Sequence, residues 1–279
     1  TLHINQAQRE FGGGKGANQA IAAGRLAADT TFISKVGTDG NAQFIIEDFA
    51  KAQINTNYIL ISEDEETGQA FITVNEEGQN TILVYGGANM TLSATDVDKN
   101  KEAFSDADYV VAQLEIPIEA IEQAFKIARE HKVTTVLNPA PAVELPKSLL
   151  SLTDIIIPNE TEAELLSGIS IHSEKNMHQT VAYFLNLGIS TVLITLGEQG
   201  TYYATKNEAK MIPACSVKAV DTTAAGDTFI GALVSELKPD LSNIKEAIIF
   251  ANQASSLTVQ RKGAQVSIPT RLEVQEAYH

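Results

Sequence analysis

From residue 109 onward, short apolar runs alternate with longer segments whose apolar residues recur every three or four positions. The short runs predict buried strands and the periodic segments predict helices. The predicted strands are 109–113, 134–137, 154–157 and 191–195. The predicted helices are 118–131, 161–166, 177–187, 243–260 and 271–279. Strands that alternate with helices form a parallel sheet covered on both faces. We therefore predict an α/β fold with three layers, α/β/α, around a mostly parallel central sheet.

The first third of the chain has a different pattern. A glycine run leads into a helix predicted over 21–26, a strand is predicted over 30–36, a helix over 41–52 and a short strand over 57–61. Residues 2–11, 69–75 and 80–85 read as extended, and 76–79 carry a hairpin signal between the last two. These extended pieces predict a small β-sheet beside the main core, a lid or an interface, with its strands within 1–11 and 69–88. We find no linker, so 1–279 is interpreted as one domain.

Polar or glycine residues follow each predicted strand of the main sheet. Ligands of such sheets bind at the carboxyl ends of the strands, so residues there are candidates for one site. These residues are Glu115, Asn138, Asn159, Glu162, Thr195, Gly197 and Gly200.

Residues 219–229 pass from an extended segment through small side chains into a helix. Ala224, Ala225 and Gly226 leave the backbone accessible, and the first N–H groups of a helix attract anions. Asp227 stands beside that anion site, where it could accept a proton from a hydroxyl that attacks the anion, as in phosphoryl transfer. The alternative is an ordinary carboxylate at a helix N-terminus.

A second glycine-rich stretch, 12–16, also precedes a helix. It allows a ligand to lie against the backbone, and Lys15 and Asn18 could contact hydroxyls or charge. It is not a Walker A loop, because Lys15 is not followed by Ser or Thr. By itself, this stretch could equally be a glycine turn with a solvated lysine.

Composition limits the classes of function. The net charge is −15 over 279 residues, which disfavours non-specific binding of nucleic acid. No apolar run reaches the length of about 18 residues that a membrane helix needs, so no membrane partner is predicted. The single cysteine, Cys215, excludes an internal disulfide and fits a reducing, cytoplasmic location.

Two stretches together resemble the paired signatures of the ribokinase-like carbohydrate kinase family: GGKGANQA at 13–20 and DTTAAGDTF at 221–229. Five shorter motifs match the family in order along the chain: LEIP at 114–117, NPAP at 138–141, NETE at 159–162, TLGEQG at 195–200 and RKGA at 261–264. Each motif is weak alone, whereas the ordered set is specific.

The resemblance implies ATP-dependent phosphorylation of the 5-hydroxyl of D-ribose. Asp227 would be the general base, and the amides of Ala224, Ala225, Gly226 and Asp227 would bind the migrating phosphoryl group. The residues implied for the sugar are Gly14, Lys15, Gly16, Ala17, Asn18 and Glu115, with Ala70 and Ile72 of the lid above it. The residues implied for ATP are Asn159, Glu162, Thr195, Leu196, Gly197, Glu198, Gln199, Gly200, Gly226, Asp227 and Asn252.

The resemblance also implies two cations and a homodimer. Glu162 would help place Mg²⁺ through water, which suits the preference of that ion for phosphate oxygens and few carboxylates. A potassium ion would tie two loops together, mostly through carbonyl oxygens. Its implied ligands are Asp221, Thr223, Thr258, Arg261, Gly263 and Ser267. The lid sheet would form the dimer contact. From the residues alone, Asn252 could instead be a satisfied polar group within its helix, and Asp221 could be a turn-capping aspartate.

One family feature does not match. The Gly-Ser-x-Asn-x-Asp signature of the family's first strand is not found here, as if a first strand-and-helix segment of roughly 20–30 residues were missing. A polypeptide without it would be expected to have weak or no activity. The alternatives are a kinase for another sugar or a nucleoside, a non-catalytic sensor of sugar or nucleotide, and an interaction protein that uses the open small sheet.

Overall fold

The structure is a computed structural model. It describes residues 12–74 and 80–278, without the side chains of 72–82. The strands are β1 (Ser34–Val36), β2 (Ile59–Ile61), β3 (Gln69–Val74), β4 (Asn80–Tyr85), β5 (Tyr109–Ala112), β6 (Thr134–Leu137), β7 (Ile155–Ile156), β8 (Thr191–Thr195), β9 (Thr201–Thr205) and β10 (Ala209–Ile212). The helices are α1 (Lys15–Arg25), α2 (Gly40–Lys51), α3 (Ala94–Lys99), α4 (Ile118–Glu130), α5 (Lys147–Ser151), α6 (Glu160–Ser167), α7 (Glu174–Asn186), α8 (Ala225–Glu236), α9 (Ile244–Thr258) and α10 (Arg271–Tyr278).

A six-stranded sheet in the order β10-β9-β8-β7-β6-β5 carries the main core. Strands β5 to β8 are parallel, and β9 and β10 extend the sheet as an antiparallel hairpin. β1 pairs with β2 in a separate parallel sheet, and β3 pairs with β4 in a small antiparallel sheet. The predicted α/β class with a mostly parallel sheet is therefore confirmed. The predicted strand at 2–11 and the predicted hairpin turn at 76–79 lie outside the described residues.

Alternation along β7 explains the layered arrangement. Neighbouring side chains of a strand point to opposite faces of its sheet. Ile155 packs with Phe229 and Ile248, on one face, whereas Ile156 packs with Val181 and Phe184 on the other. Both isoleucines are fully buried. Helices α8 and α9 thus cover one face of the sheet, and α6 and α7 cover the opposite face.

Close packing of α1 against α8 brings two distant parts of the chain together. A methyl group at Gly231 of α8 would lie 2.5 Å from Cβ of Ala22 and 2.6 Å from the carbonyl oxygen of Gln19. Only glycine permits two helices to approach this closely without displacement of one of them. The contact sets α1 beside the first turn of α8, where the predicted sugar and phosphate residues meet.

Helix α1 begins six residues before the predicted start at residue 21, so Lys15 and Asn18 belong to the helix and not to the glycine loop. Helix α9 is shorter at both ends than predicted, and β9 and β10 were not predicted. In the described residues, no helix has both the length and the hydropathy that crossing a bilayer requires.

Candidate active site

The first turn of α8 presents bare backbone donors. Ala224, at φ 59°, turns the chain into the helix in a left-handed conformation. The Ala225 N–H bonds the Thr222 carbonyl at 3.2 Å, and the first full helical bond runs from Thr228 N–H to the Ala224 carbonyl. Within the described residues, the N–H groups of Gly226 and Asp227 have no acceptor. Of the four amides predicted for the anion site, only that of Ala225 is engaged within the described residues, and the free donors inside α8 are those of Gly226 and Asp227.

The Asp227 carboxylate is buried beside those amides and held on both oxygens. Asn18 Nδ2 donates to Oδ2 at 2.9 Å, and Gln19 Nε2 donates to Oδ1 at 3.0 Å. Burial raises the pKa of Asp227, and the bonds from Asn18 and Gln19 and the charge of Lys15 oppose that rise. The carboxylate is thus fixed in direction and close to a cation, as a proton acceptor requires.

Glu115 and the start of α1 form the next wall of the site. The Lys15 N–H donates to Oε2 of Glu115 at 2.7 Å. Gly14 precedes it at φ 79°, a conformation that favours glycine. Burial raises the pKa of Glu115, while the Lys15 bond and charge lower it and the charge of Asp227 raises it further. The two carboxylates and Lys15 therefore share one electrostatic environment.

Glu162 lies at the start of α6 in a capping box with Asn159. The Asn159 N–H donates to Glu162 Oε2 at 2.9 Å, and the Glu162 N–H donates to Asn159 Oδ1 at 2.8 Å. Burial raises the pKa of Glu162, and the charges of Lys15 and Asp227 also act on it. Asn159 bridges to Thr195, so this cap is tied to the end of β8. One Glu162 carboxylate oxygen, Oε1, has no bond to the described protein.

The loop that follows Thr195 has a shape that requires glycine. Leu196 N–H bonds the Gly200 carbonyl at 2.8 Å, while Gly197 has φ 56° and Gly200 has φ 106°. A methyl group at Gly200 would lie 2.1 Å from the Ile212 carbonyl oxygen. Gly197, Glu198 and Gln199 are exposed at the tip of this turn.

The residues predicted for potassium divide into two groups. Asp221 Oδ1 accepts from the N–H and hydroxyl of Thr223 at 2.9 and 2.7 Å, and Oδ2 accepts from the Gly263 N–H at 3.0 Å. These bonds join the two loops. The side chains of the remaining three are engaged elsewhere: Thr258 bonds Thr228, the Arg261 guanidinium pairs with Glu273 at 2.6 Å, and the Ser267 hydroxyl bonds the Ala264 carbonyl.

The Asn252 side chain is held by hydrogen bonds to the scaffold. Its Nδ2 donates to the Pro213 carbonyl at 3.1 Å and the Ile212 carbonyl at 3.4 Å, and its Oδ1 accepts from the Thr201 hydroxyl at 3.1 Å. Both Nδ2 protons are used by the scaffold, so the buried amide ties α9 to the β9–β10 hairpin. The amide is thus a satisfied polar group, and the nucleotide contact that the resemblance implies for Asn252 stays a prediction.

Ala70 of β3 is exposed, and the side chain of Ile72 is outside the described residues. The hairpin joins the rest of the protein at Gly68 and Gly86. A methyl group added at Gly68 would lie 2.8 Å from the Gly86 carbonyl oxygen, so the two segments are in close contact there. A cleft of about 3080 Å³ runs beneath it. The predicted site residues that line this cleft are Gly14, Gly16, Ala17, Asn18, Ala70, Glu115, Asp221, Thr223 and Gly263.

The side chains of Gln19, Gln113 and Asn138 lie behind Asp227, and of these only Asn138 was predicted from the sequence, as a residue that follows a strand. Gln19 Nε2 contacts both Asp227 and Oδ1 of Asn138, and its Oε1 accepts from Nε2 of Gln113. Gln19 directly follows Asn18 in the GGKGANQA motif, and Asn138 follows a strand. The position of Gln19 within the motif is the sequence signal that could have identified it as a site residue.

Asp227→Asn is expected to raise the melting temperature at pH 7. The pKa of Asp227 is raised in the folded protein, so the stability associated with its protonation is complete below the ordinary value of 3.8 and is lost as pH rises through the folded pKa. Asparagine does not ionise, so the variant does not lose this stability. The difference in melting temperature between variant and parent should vanish below about pH 4. Thermal melts across pH 3–8 measure the difference.

Asp39→Asn provides the opposite control. Burial alone would raise the pKa of Asp39, but bonds from Thr67 and Asn41 bring it below its ordinary value. Its stabilising effect is present above 3.8 and lost as pH falls, so this variant should melt lower than the parent at pH 7. The same pH dependence in both variants would contradict the assignment.

The model of the pfkB family carbohydrate kinases matches residues 1–271. A ribokinase of Staphylococcus aureus is 64% identical over 276 residues, which are 99% of this chain and 91% of that protein. A deoxyribokinase of Salmonella typhi is 35% identical over 262 residues, 92% of this chain and 84% of its own. The structure of Arabidopsis thaliana ribokinase complexed with ribose and ATP superposes with a TM-score of 0.93 at 32% identity, covering 99% of this chain and 90% of that one. The chain belongs to the pfkB family of carbohydrate kinases and is a carbohydrate kinase.

Proposed function

We propose that this kinase transfers the γ-phosphoryl group of ATP to the 5-hydroxyl of D-ribose. The observation that supports it most directly is the placement of the Asp227 carboxylate between Asn18 and the two bare amides of α8. A hydroxyl that binds Asp227 lies next to donors suited to an anion. The ribokinases among the relatives, one of them in a complex with ribose and ATP, support ribose as the acceptor.

Asp227 would remove the proton of the attacking hydroxyl. Its two oxygens are held by Asn18 and Gln19, so the remaining lone pairs have fixed directions. The N–H groups of Gly226 and Asp227, at the positive end of the α8 dipole, would stabilise the charge that develops on the transferred phosphoryl group. Phosphoryl transfer depends mainly on such positioning and charge stabilisation.

The sugar would lie between α1, Glu115 and the lid. Glu115, which lines the cleft, supplies an acceptor, and Lys15, whose backbone N–H bonds Glu115, supplies a cation. Hydroxyls of a sugar need both donors and acceptors, which this wall offers. ATP would lie along Asn159 and the loop from Thr195 to Gly200, where the exposed glycine turn leaves the backbone accessible.

Magnesium fits the chemistry of Glu162. Within the described residues, no three His, Cys, Asp or Glu side chains cluster in a way that could hold a metal ion. A single carboxylate with a free oxygen suits an ion that retains water and phosphate ligands. When bound, Mg²⁺ would neutralise phosphate charge, and Glu162 would orient one of its waters. The solved structures include an Escherichia coli protein described as a putative ribokinase II in complex with ATP and Mg²⁺.

A potassium ion would bind between the Asp221 and Gly263 loops. The hydrogen bonds of Asp221 already hold the loops together, and a monovalent cation would add charge compensation beside the start of α8. Carbonyl oxygens of Thr223, Thr258, Arg261, Gly263 and Ser267 would complete its shell. Such an ion would act by orienting the anion site without contacting the sugar.

The lid sheet would form the contact of a homodimer. Phe71 (56% exposed) and Leu83 (63% exposed) are paired across the two strands and share one face of the hairpin, and Val84 (69% exposed) lies on the other face. An apolar sheet face of this kind is typical of an interaction surface. A second copy of the hairpin would cover it.

The test is sugar-dependent release of ADP by the full chain, with potassium chloride and with sodium chloride at equal ionic strength. D-Ribose should give the highest kcat/KM, and potassium should increase turnover. 2-Deoxyribose is the closest competitor because a deoxyribokinase is among the relatives. Higher kcat/KM with 2-deoxyribose, fructose or adenosine would reverse the substrate assignment. Absence of turnover with every acceptor would favour the sensor alternative.

A further inference from the structure

The buried amides behind Asp227 form a chain with a single consistent orientation. Gln19 is 4% exposed, and its Nε2 donates to Oδ1 of Asp227 at 3.0 Å and to Oδ1 of Asn138 at 3.1 Å. Its Oε1 accepts from Nε2 of Gln113. The carboxamide of Gln19 thus uses both of its protons and its oxygen within the protein.

The surroundings determine which way each amide points. Asn138 Nδ2 donates to the Ile157 carbonyl at 2.9 Å, and a carbonyl can only accept, so Oδ1 of Asn138 must face Gln19. An ionised Asp227 also can only accept. Both partners therefore require the nitrogen of Gln19, and its oxygen is left for Gln113. A reversed amide would place oxygen against oxygen at two contacts.

We propose that Gln19 is a positioning residue for phosphoryl transfer, which fixes the direction and the charge of the Asp227 carboxylate, while Gln113 and Asn138 fix the orientation of Gln19. The inference relies on the proposed function for the role of Asp227 as the base. Gln19 acts through Asp227, because its own polar atoms are all engaged with protein groups.

The charges that face Asp227 are those of Lys15 on α1, Glu115 after β5 and Glu162 on α6. Lys15 favours the ionised carboxylate and the two glutamates disfavour it. The N–H donors of Asn18 and Gln19 support the ionised form inside a buried site. Removal of the Gln19 donor should therefore make Asp227 protonate at higher pH.

Gln19→Met keeps the length of the side chain and removes the donors. We expect kcat to fall by about tenfold or more, KM for the sugar to change less than about twofold, and the acid limb of the kcat–pH profile to move up by about one pH unit. Gln113→Met, at a partly buried residue, should shift both quantities in the same direction by less. Thr180→Val is the matched control, because its buried hydroxyl has no partner and lies on α7; it should leave kcat and the profile unchanged.

The pKa of Asp227 can also be followed without turnover, by ¹³C NMR of the labelled carboxyl group with Asp227→Asn to assign its signal. A higher pKa in folded Gln19→Met supports the proposal. An unchanged acid limb or an unchanged carboxyl titration in that variant overturns it. If the parent protein releases ADP with none of the sugars tested, only the proposed function is contradicted. The NMR titration still decides the role of Gln19. If Gln19→Met does not fold, the same two readouts on Gln113→Met decide the proposal.

Discussion

Asp227→Asn is expected to lower kcat by about 10²–10⁴-fold while the affinity for ATP changes little. The substitution keeps the shape of the side chain and removes the proton acceptor. Nucleotide would bind through Asn159 and the loop from Thr195 to Gly200, which the change does not touch. Coupled detection of ADP gives kcat, and calorimetric titration gives the affinity for ATP.

The surroundings of Asp227 can accommodate the asparagine. Asn18 donates to Oδ2 of Asp227 through Nδ2, and its own buried Oδ1 has no partner among the residues that the structure describes. A half-turn of the Asn18 amide would let that oxygen accept a proton from the new asparagine. Loss of activity in this variant can therefore be attributed to chemistry and not to a collapsed site.

Asp154→Asn is the matched control for the same chemical change. Asp154 accepts from the N–H and the hydroxyl of Thr135, just before β7 and thus at the opposite edge of the sheet. It should retain the kcat of the parent. Turnover of Asp227→Asn within a few-fold of the parent would exclude Asp227 as the general base.

The parallel part of the sheet could be predicted because its signal is local. The structure gives β6 and β8 the predicted bounds and β5 to within one residue. Each strand is a short apolar run, largely buried in β6 and β8 and partly buried in β5, and such a run is visible without knowledge of its neighbours. The β9–β10 hairpin was missed because alternating tyrosine, alanine and threonine at an edge depend on pairing with β8.

The early start of α1 shows a second limit of prediction from local sequence patterns. Lys15, Gly16 and Ala17 are an unpromising helix start, because glycine in a helix is unfavourable by about 1 kcal/mol relative to alanine. The contact with α8 through Gly231 favours the helix there. That contact joins segments about 200 residues apart, so no local pattern contains it.

The candidate site was likewise only partly predictable from local sequence. Lys15, Asn18, Glu115 and Asp227 could be nominated from motifs and strand ends, and the structure brings them together. The partners of their polar atoms could not be nominated. Asn252 shows this most directly, because its amide bonds the carbonyls of Ile212 and Pro213, which are distant from it in the sequence.

Two glycines of α8 should separate function from folding. Gly226→Ala is expected to lower kcat by at least about tenfold and to leave the melting temperature unchanged or slightly higher. A methyl group at Gly226 meets no atom within 4 Å, so the fold tolerates it. Side chains of a helix tilt toward its N-terminus, so this methyl enters the space beside the bare amides, where the phosphoryl group would lie.

Gly231→Ala, five residues further along the same helix, is the matched control. Its methyl group would lie within 2.7 Å of the Ala23 nitrogen and closer still to Ala22 and Gln19, so α1 must move. Overpacking of this kind costs about 1–3 kcal/mol, or a fall in melting temperature on the order of 5–10 °C. Thermal melts and ADP release on both variants give the comparison. Unimpaired turnover in Gly226→Ala would show that the reacting group does not approach this turn of α8, because an alanine methyl there cannot avoid an anion held by the Gly226 and Asp227 amides.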